Sequence, residues 1–193
     1  MGTIASGLAA ECAQRAAIQL HGLDSPTMPE ESSVQERYAP VSVCFGCGPA
    51  NPGGLHLRSV PDPGHEGSLI ATWTPQPHHH AFDDVLNGGI VGALLDCHAN
   101  WAAALAIMRA TGDDRPPATV TADYEVRLLA PTPMGGPLTL RSWPVEAAGR
   151  RATSEAHIET ADGTVTATFR GHFVAVREQH PAHDRWAGRQ AGR

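Results

Sequence analysis

Residues 86–98 read LNGGIVGALLDCH, a glycine pair followed by an aspartate in an otherwise apolar stretch. Asn87 is a preferred N-cap residue, whose side chain can accept hydrogen bonds from first-turn amides. The amides of Gly88 and Gly89 have no intrahelical acceptor and no side chain to block approach, so they are suited to stabilising a developing oxyanion. Asp96, two turns further on, is then either a solvated or ion-paired carboxylate or an acid-base group, and the residues alone leave both readings open.

Other residues with chemical potential have blander readings. Cys44 and Cys47 form a C-x-x-C, but a zinc site needs four ligands and no second C-x-x-C follows, so a packed turn is expected and no metal. His78, His79 and His80 are adjacent, and neighbours in a loop rarely point at one ion; a flexible, partly exposed loop bordering the pocket is expected, with His80 a candidate substrate contact. His98 lies on the apolar side of the predicted helix and reads as a core histidine with its hydrogen bonds satisfied. Arg127, Arg141, Arg150, Arg151 and Arg170 fall on predicted strands or turns, where some could meet an anionic ligand and most would be solvated.

The elements that must position these groups follow from periodicity. Apolar residues, with His98 among them, recur at 91, 94, 98, 101, 105 and 108, which predicts one long amphipathic helix over 88–111. Its opposite side carries Gly89, Gly92, Asp96, Asn100 and Ala103, small residues that imply a close neighbour, since each helical glycine costs up to about 1 kcal/mol relative to alanine. Alternating stretches predict a first hairpin from GLHLRSV and EGSLIATW, then strands over 118–130, 137–148, 151–160 and 163–176. The order β-β-helix-β-β-β-β describes an α+β domain in which an antiparallel sheet of about six strands curls round a single helix. Residues 1–40 read as an appendage (a helix over 3–21 plus a linker), 41–177 as the domain, and 178–193 as a loose tail.

Composition narrows the function. The chain has 193 residues, a net charge of −6, and arginine as its only basic residue besides histidine. Without lysine, Schiff-base chemistry and a Walker-type phosphate loop are excluded, and no basic block suggests nucleic acid. No apolar run near the ~18 residues of a membrane span and no secretory leader are read, so a soluble cytoplasmic protein is expected.

CFGCGPANPGGLHL (44–57), NGGIVGALLD (87–96) and PATVTADYEVRLLAP (117–131) together resemble the hotdog-fold acyl-CoA thioesterases of the PaaI-like group over about residues 41–177. The resemblance implies that Asp96 is the general base or nucleophile, that Gly88 supplies the amide polarising the thioester carbonyl, and that Thr121 helps hold the attacking water. Asn87 and Gly89 would border the substrate. Asn87 stands where most relatives have histidine and cannot transfer a proton; Cys97 stands where relatives are often acidic.

Geometry adds one deduction. Gly88 and Asp96 are separated by about 12 Å along a helix, at ~1.5 Å per residue, and cannot both touch one carbonyl carbon. A site using both must draw them from two subunits, which makes a homodimer, or a dimer of dimers, the expected assembly. The expected activity is hydrolysis of an acyl-CoA or acyl-carrier-protein thioester without a cofactor. The alternatives are a hotdog dehydratase or hydratase using His80 with Asp96, and an acyl-thioester-binding protein without turnover.

Overall fold

The computed structural model describes residues 32–186 of the chain. The helix expected over 3–21 and the last residues of the C-terminal tail lie outside them. A short helix, α1 (Val34–Tyr38), opens on a capping box between Ser33 and Glu36. Composition grouped this stretch with the appendage, yet Val34 and Gln35 are buried. Gln35 accepts from the Ser59 amide (2.9 Å) and donates to its hydroxyl (3.0 Å), which ties the stretch to the domain.

Six strands form one antiparallel sheet: β1 (Val60–Pro61), β2 (Leu69–Trp73), β5 (Thr119–Leu128), β6 (Leu138–Ala148), β7 (Arg151–Glu159) and β8 (Val165–Ala175), in the order β1-β2-β6-β7-β8-β5. β1 is shorter than the alternation over 54–60 predicted. The amides of Leu55 and Leu57 donate instead to the carbonyls of Phe45 and Gly46 (2.7 and 3.0 Å), so this stretch holds the cysteine loop rather than extending the sheet. Between β2 and the long helix, a 3-10 turn (Pro77–His79) leads into a separate two-stranded ribbon of β3 (His80–Phe82) and β4 (Val85–Leu86). The triple-histidine loop is thus ordered, with His79 buried and stacked on Trp73 at 5.1 Å between ring centroids.

Helix α2 (Gly88–Thr111) runs across the sheet and ends at Gly112, which takes the left-handed conformation (φ 76°) that favours glycine. Its centre is buried all round rather than on one side only: Leu94, Leu95, Ala99, Ala102, Ala103 and Ala104 are each at 0% exposure. The cause lies in what covers the side away from the sheet. The loop around Gly46 sits on Ala93 and Cys97, and Trp186, in the segment expected to be a loose end, stacks on Trp101 at 4.2 Å. The alanines let these layers approach closely, and a helix enclosed on every side can be apolar on every side. In length and composition α2 would suffice to cross a membrane, but 72% of its most apolar window is buried within the fold.

Candidate active site

Asn87 caps α2, as its residue type predicts. Its Oδ1 accepts from the amides of Gly89 (2.8 Å) and Ile90 (3.4 Å), while its own amide donates to the His79 carbonyl (3.0 Å). The cap alters one expectation, because the Gly89 amide is already paired. The Gly88 amide, the first of the helix, has no acceptor among the described residues. It borders an apolar cleft of about 380 Å³ lined by Phe82, Val85, Val91, Leu128 and Leu129 among others. A Cβ on Gly88 would approach the Leu128 side chain to 3.2 Å, so glycine keeps this amide accessible.

Asp96 lies outside that cleft. It is half-buried and accepts a hydrogen bond from Thr121 Oγ1 (2.7 Å) on β5. The strand does this by period: Thr119 and Thr121 share a face, and they meet Asn100 and Asp96, one helical turn apart on α2. Thr119 Oγ1 donates to Asn100 Oδ1 (2.7 Å), a fully enclosed pair beside the half-buried one. Burial raises the Asp96 carboxyl above the usual carboxylate range; the Thr121 hydrogen bond and the Arg185 charge oppose this, while Cys44 adds to it. The outcome is a carboxylate with enhanced basicity, held by one hydroxyl.

The remaining candidates divide clearly. His80 is exposed and its Nδ1 lies 2.6 Å from the Pro77 carbonyl, whereas the hydrogen-bond partner of Asp96 is Thr121. His98 is the satisfied core residue expected. Nε2 faces the Leu69 carbonyl (3.2 Å), which assigns it the proton, and Nδ1 then accepts from Ser59 Oγ (2.8 Å). Its burial holds it neutral, with a pKa pushed down to about 4. Arg127 and Arg170 pair with Glu125 and Glu155, and Arg141 bridges Asp62 and Glu159, so these three are engaged on the protein's own carboxylates.

One grouping escaped the sequence reading. Cys97 of α2 meets Cys44 and Cys47, and the three sulfurs all lie within 4.8 Å of one another. The signal in the sequence was incomplete, because Cys97 stands 53 positions from Cys44 and belongs to no local motif.

A layered sheet wrapped on one helix, with a carboxylate on the helix and an open amide at its start, defines a hotdog-fold protein. Residues 84–167 match the family model described as the thioesterase superfamily. Among solved structures, a thioesterase superfamily protein from Shewanella loihica is similar at 29% identity, covering 63% of this chain and 91% of that one with a TM-score of 0.51. A second thioesterase superfamily protein aligns at 27% identity over 86% of this chain and 80% of its own, with a TM-score of 0.58. The Escherichia coli PaaI protein of the phenylacetic acid degradation operon shares the fold at 18% identity, covering 64% of this chain and 81% of its own, TM-score 0.53. No curated protein matches the sequence. The chain has the hotdog fold, and its residues 84–167 are similar to the thioesterase superfamily.

Proposed function

We propose that the protein hydrolyses an acyl thioester, carried by coenzyme A or an acyl carrier protein, at a site completed by two subunits. The Asp96–Thr121 pair is the observation that carries this reading: a half-buried carboxylate with raised proton affinity, oriented by a hydroxyl, has what is required to take a proton from an attacking water. Asp96 takes a proton as water adds to the thioester carbonyl, the Gly88 amide donates a hydrogen bond to the developing oxyanion, and collapse breaks the C–S bond, the leaving sulfur taking that proton to give acid and thiol. Asn87 cannot relay a proton, and with Oδ1 engaged in the cap it offers only its NH₂ to the substrate. The apolar cleft beside Gly88 suits the acyl group.

The division between subunits is supported by two features. Asp96 is absent from the Gly88 cleft, consistent with the ~12 Å that eight helical residues span. β5 ends the sheet, bonded to β8 on one side only, and carries Thr121 near one end and Leu128, the neighbour of Gly88, at the other. Antiparallel pairing of two β5 edges about a twofold axis brings the Thr121 end of one chain to the Leu128 end of its partner, and removes a long exposed edge.

Release of free thiol from a panel of acyl thioesters tests the activity. Asp96→Asn is expected to lower it by ~10²–10⁴-fold, the range for positioned acid-base groups. Residual activity within a few-fold of wild type would remove Asp96 from the mechanism. Heterodimers of Asp96→Asn with Gly88→Val, verified by mass, are expected to regain activity at the one of their two interface sites that receives both intact groups. Heterodimers as inactive as both parents would refute the shared site.

A further inference from the structure

We propose that Cys44, Cys47 and Cys97 form a three-thiolate site for a thiophilic divalent cation, with zinc as the ion of reference. The site is distinct from the hydrolytic one and does not depend on it. Three sulfurs from two separate segments all lie within 4.8 Å of one another, and Cys44 Sγ and Cys97 Sγ are 3.6 Å apart. A tetrahedral shell with Zn–S bonds of ~2.3 Å sets its sulfurs about 3.8 Å apart, so small side-chain adjustments would complete the geometry.

The backbone is shaped to hold the sulfurs together. A Cβ at Gly48 would fall 2.4 Å from the Cys44 amide nitrogen and 2.5 Å from the Ser42 carbonyl oxygen, so the C-x-x-C turn closes only on glycine. A Cβ at Gly46 would fall 2.4 Å from Cys97 Sγ and 3.1 Å from the Ala93 carbonyl oxygen, so a second glycine lets the turn settle on α2. A packed turn would need one or two small apolar side chains here, and a disulfide would consume two sulfurs and strand the third.

Cys44 and Cys97 are half-buried while Cys47 is buried, so an ion can reach the cluster from outside. Three ligands leave a fourth position for water or for a further donor; the chain's other cysteine, Cys12, lies outside the described residues. Divalent binding displaces thiol protons, so affinity must rise with pH. The ion would fasten the 44–48 loop to the centre of the helix.

The test uses full-length protein, reduced and treated with chelator, titrated with cobalt(II) as spectroscopic probe and then displaced by zinc. The expected result is one equivalent per chain, with thiolate-to-cobalt charge transfer, intense tetrahedral d–d bands and a raised melting temperature. Cys44→Ser and Cys97→Ser, each shown to be folded by circular dichroism, should weaken binding by more than ~10²-fold, beyond the range for loss of a supporting outer contact. Should Cys97→Ser fail to fold, Cys44→Ser on the loop decides alone. Absence of stoichiometric binding, or binding with unchanged charge transfer in the folded cysteine variants, would overturn the proposal.

Discussion

Thr119 and Thr121 make the same bond from the same strand to the same helix, yet they should fail in opposite ways when each is replaced by valine. Thr119→Val keeps the β-branched shape and deletes the donor to Asn100, whose Oδ1 is then left in a pair of residues exposed by no more than 5%. An unpaired buried acceptor costs about 1–3 kcal/mol, and for a domain near this size each kcal/mol lowers the melting temperature by about 2–4 °C. Turnover should change little, because this pair is enclosed and has no part in the proposed chemistry. In Thr121→Val the acceptor is half-buried Asp96, which water can still reach, so the stability cost should stay below about 1 kcal/mol. What is lost is a hydrogen bond to a charged group, worth about 1.5–3 kcal/mol. Expressed in the transition state, that is roughly a 10–100-fold fall in kcat/KM. Urea titrations and thiol-release kinetics on the two variants give the comparison directly. If Thr119→Val costs the activity and Thr121→Val costs the stability, or if both variants lose both equally, the assignment of Asp96 rather than Asn100 as the working polar group is wrong.

Other predictions follow from single contacts. His98 has a folded-state pKa pushed from 6.5 to about 4 by burial, so the unfolded chain binds the extra proton first and stability falls as pH drops from 6.5 towards 4, by about 3 kcal/mol in all; in reduced, metal-free protein the stability difference between wild type and His98→Gln should shrink by about that amount over this range, and parallel curves would refute it. Asn87→Ala removes the α2 cap and should cost about 1 kcal/mol, measurable by denaturant titration, whereas Asn87→Asp should keep most of that stability. Gly46→Ala puts a methyl 2.4 Å from Cys97 Sγ and should destabilise by roughly 1–3 kcal/mol through overpacking; an unchanged melting temperature would show that the loop does not rest on the helix as described.

Much of this architecture was readable because the strong signals are periodic. The span of α2, its Asn87 cap and the four later strands follow from spacing and turn residues, which report local backbone preferences. The short β1 was not readable, because Leu55 and Leu57 alternate like strand residues whether their amides meet another strand or the carbonyls of Phe45 and Gly46. The expected one-sided helix failed for a related reason. Alanine and glycine are compatible with either a solvent-facing or a tightly covered surface, and only the arrival of Gly46 and Trp186 decides which. The Cys97 contact was equally hidden, being made by chain folding rather than by any local pattern.

The polar residues of α2 finally show why one of them is suited to chemistry. His98 has both ring nitrogens paired, and Asn100 is enclosed with its Oδ1 accepting from Thr119. Each has its place fixed by partners it cannot release without cost, which is how a buried polar group serves a fold. Asp96 has acceptor capacity for about four donors and one hydrogen bond among the described residues, from Thr121. A carboxylate so under-filled, in surroundings that oppose its charge, gains more from a proton or from a water's O–H than a solvated aspartate does. A residue selected only for stability would be paired like its neighbours, or replaced by one of the alanines that fill the rest of this helix. That imbalance sets Asp96 apart from His98 and Asn100, and it is the property that the base proposed above would need.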